Sequence, residues 1–482
     1  MHLYRPKIKP GHRIKRNPVL LPFMFATITN FSQKYGKYDI YDFIFCCFLA
    51  LGFVFYQERT TYLDNAYLLF NMLDSSSFRI EHYRYAAIIP QIPAIIGIKL
   101  GLDIQFIAVL LSFGYLLFHF IVYWIVKHKL GQRALGIVYL ACLLLAMHES
   151  FFDMVTETKL ALGMGVLYAG ILLTDSLSNS KKLVFTLLVF SLGVFSHPVF
   201  ILYFGVVLMF YWMFKKQVFW QHFVAIGILY FIKSSFFGSS SYEMEFYKSL
   251  GNWTVFSSSF LHQYMIGHIG KYYKLIIILT YLVSTYLYRQ NLRKELGIYL
   301  LSIVGVYFIL SILNAQGESH MMMQKTLYIL SFTCLYPMVF VYDQWMNKLF
   351  LNVLIPLVLF ASFYTINHAS EKYTTRNERL VSQLDALSYN GDKLYIKESQ
   401  IDPSSMLGSW ALPYESAILS RWHLDKSITL SKLKSGNTGT PDQKDFIHVF
   451  DLPKPVNQMN RTYFQFADST TYFPIDSTFI LN

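Results

Sequence analysis

Apolar residues in this chain gather in long blocks such as DFIFCCFLALGFVFY, separated by short connections rich in polar and basic residues. A helix rises about 1.5 Å per residue, so such blocks approach the roughly 30 Å thickness of a bilayer core. The pattern predicts about eleven helices, at 40–56, 104–126, 134–148, 158–174, 183–196, 198–214, 218–235, 272–288, 296–314, 325–342 and 349–366. Two connections are long, 57–103 and 236–271. The first contains YAAIIPQIPAIIGIKLG, whose Pro90 and Pro93 disfavour a straight helix. It therefore reads as a re-entrant or membrane-lying piece, with an ordinary twelfth span as the alternative. The second mixes aromatic and polar residues, as expected of a segment on a membrane surface.

After residue 367 the pattern changes. EKYTTRNERLVSQLDALSYNGDKLYIKESQ reads as a helix, a turn at Asn390-Gly391 and a strand, and FIHVFDL and TYFQFA read as further strands. The predicted fold class is an all-α polytopic membrane protein with a small mixed α/β extracytoplasmic C-terminal domain. Its parts are a basic cytoplasmic tail (1–38), a transmembrane domain (39–366) and a soluble domain (367–482).

Composition agrees with a membrane class. Of 482 residues, 54% are hydrophobic and only 15% charged, against about 25% charged in soluble domains. The net charge of +12 then reads as lysine and arginine retained on the cytoplasmic face. Nucleic-acid binding is disfavoured, because no basic-aromatic motif accompanies the charge. With the N-terminus inside, the short inner connections carry about eleven Lys/Arg, whereas the short outer ones carry Lys159 and Lys325. An odd number of spans puts the C-terminal domain outside a cell's inner membrane. The four cysteines (Cys46, Cys47, Cys142, Cys334) lie within apolar blocks and imply no disulfide framework.

In that topology the outer face collects the chemistry. Connection 57–103 holds Asp64, Arg79 and Arg84; HESFFDMVTETK holds Glu149, Asp153, Glu157 and Lys159; SHPVF holds His197; NAQGESHMMMQK holds His320 and Lys325. Carboxylates, histidines and cations on one face are what group transfer onto a hydroxyl requires: a base, and positive charge for an anionic leaving group. Each residue also has a plain structural use. Asp64 can be a helix-flanking carboxylate, and His197 a turn residue before Pro198. Arg79 and Arg84 can bind lipid headgroups. Glu149, Asp153 and Glu157, four apart, can line one solvated helix face or hold sugar hydroxyls or a divalent cation. No HExxH, P-loop or dinucleotide fingerprint stands in a suitable context.

The aspartate soon after the first span (YLDNAY), the proline-containing segment that follows, the acidic HESFFDMVTE and the C-terminal outer domain together resemble GT-C superfamily glycosyltransferases. The resemblance implies a polyprenyl-phosphate-linked sugar as donor and a glycan or protein as acceptor, with membrane lipids around the site. It makes Asp64 the general base and gives the lipid phosphate to Arg84, with Arg79 or Lys325. Glu149, Asp153, Glu157, His197 and His320 are then substrate-binding candidates, and a divalent cation (Mg or Mn) is an optional cofactor. The first loop lacks the paired Asp-Glu of many members. A second stretch, TETKLALGMGVLYAGILL with SHPVF, is similar to EpsG-like and Wzy-type polysaccharide polymerases, with Thr158 or Lys159 where arginine is frequent. A transporter or membrane scaffold is the non-enzymatic alternative; the absence of visible repeats and the position of ionisable residues at span ends weigh against transport.

Overall fold

The computed structural model describes residues 39–155, 157–238, 244, 273–313, 320–341, 355–397, 400–401, 409–433, 446–449, 452–466 and 472–475. The tail 1–38 and most of the connection 236–271 lie outside them. The chain divides into two units, Met1–Phe48 and Leu49–Asn482. The first contributes only residues 39–48 to the described part, and all the packing and chemistry below belong to the second.

The described chain is mostly helical. Its helices are α1 (Ile40–Val54), α2 (Tyr56–Thr60), α3 (Leu63–Ser75), α4 (Ile88–Lys99), α5 (Ile104–Trp124), α6 (Arg133–Ser150), α7 (Glu157–Leu173) and α8 (Asn179–Val194). There follow α9 (Phe200–Lys215), α10 (Trp220–Ile232), α11 (Lys274–Arg289), α12 (Arg293–Leu313), α13 (His320–Leu335), α14 (Ile355–Leu387) and α15 (Leu412–His423). Every predicted apolar block overlaps one of these helices. One stretch among the described residues, Ile104–Lys129, is by length and composition able to cross a bilayer; five further apolar helices are shorter. Large apolar side chains stand exposed along α8 (Val184, Leu188), α10 (Val224, Phe231) and α12 (Leu301, Val304).

Connection 57–103 is a folded layer of helices. Pro90 and Pro93 do not break α4. Pro90 is the third residue of α4, where a backbone N–H has no intrahelical acceptor to lose, and Pro93 is accommodated within the helix. At 12 residues, or roughly 18 Å, α4 is too short to cross a bilayer. It doubles back on α5 through Leu100–Asp103, with Gly101 at φ 68° and the Asp103 carboxylate capping the Gln105 N–H at 2.8 Å. The two helices touch at Gly114, where an added Cβ would meet the Pro90 carbonyl oxygen at 2.2 Å. Gly114→Ala is therefore expected to push the hairpin apart and cost about 1–3 kcal/mol, read as a lower melting temperature of the detergent-solubilised protein.

The C-terminal region departs from expectation in three ways. First, α14 runs unbroken for 33 residues, roughly 50 Å, across the expected boundary at 366/367. Second, the described part of TYFQFA (462–466) is not a strand. Asn460 closes a turn, accepting the Thr462 N–H on its side chain at 3.1 Å and the Phe464 N–H on its carbonyl at 2.9 Å. This delivers Phe464 onto Phe70, with ring centroids 4.5 Å apart. Third, the region is not packed only on itself. Strands β1 (Lys393–Lys397), β2 (Thr429–Leu433) and β5 (Phe473–Pro474) form a parallel sheet in the order β2-β1-β5, and β3 (Phe446–Val449) pairs antiparallel with β4 (Leu452–Pro455). Helix α15 shares Leu412 and Leu419 with the core of α14 and the parallel sheet. Its Tyr414, Ala417 and Ile418 belong instead to the core built from α3, α4 and α5. The C-terminal region thus shares its central helix with connection 57–103.

Candidate active site

Helix α3 begins in an unusual way. Tyr62 is extended (φ −135°, ψ 134°), and Leu63 adopts φ 48°, a left-handed conformation that a branched side chain resists. Asp64 follows in the first helical turn, exposed to solvent, where the helix dipole favours a carboxylate. The next residue is almost completely buried and uses both ends of its amide. Asn65 Nδ2 donates to the Phe152 carbonyl at 2.6 Å, and Asn65 Oδ1 accepts the Val155 N–H at 3.0 Å. These two bonds fasten the helix start that carries Asp64 to the acidic loop after α6.

Two buried cations hold that loop from beneath. Lys159 Nζ donates to the carbonyls of Ser150 (2.5 Å) and Asp153 (2.6 Å), 5.8 Å from the Tyr328 ring centroid. The Tyr328 hydroxyl meets Ser150 Oγ at 2.7 Å. Arg59 donates to Ser112 Oγ at 2.8 Å and to the Phe151 carbonyl, its guanidinium 4.3 Å from the Phe151 ring centroid. Burial lowers the Arg59 pKa to about 9. Carbonyl oxygens wrapped around cations explain why α6 stops at Ser150. The predicted single face for Glu149, Asp153 and Glu157 is therefore corrected. Glu149 lies in the last turn of α6, Asp153 in the loop, and Glu157 opens α7.

Arg84 and Glu157, distant in sequence, form an ion pair at 3.0 Å with side-chain exposures of 7% and 15%. Backbone geometry aims Arg84. The two residues before it, His82 (φ 52°) and Tyr83 (φ 59°), are left-handed, and the turn Tyr85–Ala87 behind it is tied to the connection between α8 and α9 by Ala86 N–H···O Phe195 at 3.1 Å. Consecutive left-handed residues without glycine persist only where surrounding contacts over-determine them. Gln91 anchors the chain ahead of this turn, exchanging both amide atoms with the Arg79 backbone (2.9 and 2.8 Å).

Other candidates are used differently. Arg79 turns to Glu81 at 2.5 Å and to the Tyr67 hydroxyl. Burial and the Glu81 hydrogen bond push the Tyr67 phenol up to about 12. His197 Nδ1 accepts the Val199 N–H at 3.1 Å, which is the turn role. His320 and Lys325 lie on α13 and Glu149 on α6, but their side chains are outside the described part. Among the described residues no group of three His, Cys, Asp or Glu side chains is arranged to hold a metal ion. Sequence reasoning passed over Asn65, whose only signal is its place beside Asp64. It also passed over Arg376 and Glu415, a buried pair that includes the one acid in LPYESAIL.

The arrangement can do three things chemically. An exposed carboxylate at a helix start can take a proton, a guanidinium paired with Glu157 can receive an anion, and the acidic loop that Asn65 fastens, which leads into Glu157, can accept hydrogen bonds from hydroxyls. Compared with models of protein families, with curated proteins and with solved structures, the chain matches none.

Proposed function

We propose that the chain is a multi-pass membrane glycosyltransferase of GT-C type, moving a sugar from a polyprenyl-phosphate donor to an acceptor hydroxyl on the extracytoplasmic face of a cell's inner membrane. The apolar side chains exposed on α8, α10 and α12 support immersion in lipid, since soluble monomers rarely expose large contiguous apolar patches. Nucleotide sugars are not supplied on that side of the membrane; a lipid carrier brings an activated sugar to the interface. The observation that carries the reading is the Arg84–Glu157 pair, which opens on the same loop that Asn65 fastens to the Asp64 turn.

In this mechanism Asp64 accepts the proton of the acceptor hydroxyl as its oxygen bonds to the anomeric carbon. The bond from that carbon to the phosphate oxygen breaks, and its electron pair leaves with the polyprenyl phosphate. Arg84 receives that charge, because the guanidinium fork matches phosphate oxygens, and the phosphate competes with Glu157 for it. The Asp153 side chain and Glu157 bind sugar hydroxyls. Arg84 supplies the charge that a divalent cation would otherwise bring.

A second reading, the polysaccharide polymerase, is favoured by Lys159. It stands near the position where the similar families carry arginine, and it is buried against the acidic loop. Mass spectrometry of lipid-linked glycans in cells lacking the protein separates the two. A single-sugar polyprenyl phosphate should accumulate for the transferase, and complete repeat units for the polymerase.

A further inference from the structure

Three consecutive residues ahead of Asp64 are gripped by the C-terminal region. Arg376 of α14 donates to the Thr61 carbonyl at 3.4 Å, and its neighbour Asn377 donates to the Thr61 hydroxyl at 2.8 Å. The Arg376 guanidinium lies 4.8 Å from the Tyr62 ring centroid. Glu415 of α15 accepts the Leu63 N–H at 2.8 Å. Arg376 and Glu415 also pair with each other, with side-chain exposures of 2% and 0%. Ser409 Oγ donates to the same Glu415 oxygen at 2.8 Å. Farther back, Thr374 Oγ1 donates to Glu58 at 2.6 Å.

A buried ion pair is weak evidence for stability, because hydrophobic residues of similar volume often serve as well. This pair does something a hydrophobic pair could not. It presents a charged acceptor to the N–H of Leu63, the residue held at φ 48°. A left-handed leucine is disfavoured by about tenfold or more in population, so the turn needs an external anchor. Were Leu63 to relax to negative φ, the chain entering α3 would change direction and the Asp64 carboxylate would move with it.

We infer that Arg376 and Glu415 are positioning residues, through which the C-terminal region locks the Tyr62–Leu63 turn and so fixes Asp64 for reaction. The inference rests on the reading of Asp64 as the reacting carboxylate. It makes the C-terminal region part of the site although none of its side chains need touch the substrate.

The test uses the full-length protein. Glu415→Ala strands a buried guanidinium and risks misfolding, so the decisive variants leave the pair intact. Glycine takes positive φ freely, whereas a β-branched residue there is an outlier. Leu63→Gly should keep glycan product within about threefold of wild type and Leu63→Val should lose about tenfold or more, at equal protein levels. In Glu415→Ala, adding Leu63→Gly should restore product. A purely structural role for the pair predicts no such rescue. Hydrogen exchange of the purified protein over residues 57–70 should be faster in Leu63→Val and Glu415→Ala than in wild type or Leu63→Gly. Equal product from the Gly and Val variants, absence of rescue in a Glu415→Ala protein that accumulates to the wild-type level, or unchanged exchange would each overturn the inference; where Glu415→Ala does not accumulate, the Leu63 variants decide. Unchanged glycans in Asp64→Asn would instead remove the transferase reading. The exchange order would still decide whether the pair locks the turn.

Discussion

Asp64→Asn is expected to reduce sugar transfer by about 10²–10⁴-fold, the usual contribution of a positioned general base, while the protein folds and inserts normally. The structural cost is small because Asp64 is exposed and the amide is nearly isosteric. The favourable charge at the helix N-terminus is lost, at about 0.3–1 kcal/mol. The neighbouring acidic loop gives the control. Asp153 contributes its backbone carbonyl to Lys159, so Asp153→Asn leaves that bond in place; its amide oxygen still accepts a sugar hydroxyl, and transfer should fall much less than in Asp64→Asn. If both substitutions reduced transfer equally, the loss would reflect general acidity of the surface and not a base at one position. The measurement is the ratio of elongated to unelongated glycan in membranes matched for protein content.

The second large effect is expected at Arg84 and Glu157. Removing one member of a buried pair leaves an uncompensated charge, at a cost of about 3–5 kcal/mol. Arg84→Met and Glu157→Leu should each lower the melting temperature and abolish transfer. The double variant removes both charges together and should regain most of the lost stability, because hydrophobic replacements for a buried pair are often tolerated. Transfer should stay lost, since in the proposed mechanism that guanidinium receives the phosphate. Arg84→Lys should fall between, retaining charge without the fork that matches phosphate. Recovery of activity in the double variant would reduce the pair to a packing feature.

Much of the fold was legible in the chain because it is written locally. Each apolar block carries its own reason to be helical, and Asn390-Gly391 ends the C-terminal helix region, with Gly391 at φ 141°, just before the strand KLYIK. What was not legible depends on partners far away in sequence. Proline content alone argued against α4, yet Pro90 falls where no helical hydrogen bond is lost, and Gly114 of the following helix leaves room for its carbonyl. TYFQFA alternates like a strand, but Asn460 turns the chain and Phe464 finds Phe70. The site divided along the same line. Asp64, Arg84, Asp153 and Glu157 stand out as ionisable residues in connections between apolar blocks. Their pairing was hidden, because the Arg84–Glu157 contact and the Asn65 clamp join segments separated by whole helices. Arg376 was hidden most fully, since a charged stretch such as EKYTTRNERL reads as a solvated face. Only the docking of α15 shows that its guanidinium is buried.

The most direct test of the account is to follow polyprenyl phosphate itself. Purified wild-type protein, mixed with the lipid extract of its host membranes and with surface glycan, should release free polyprenyl phosphate in step with acceptor elongation, measured by mass spectrometry. Asp64→Asn should release none above background. Release at the same rate from both proteins, or elongation without release of the lipid phosphate, would contradict it.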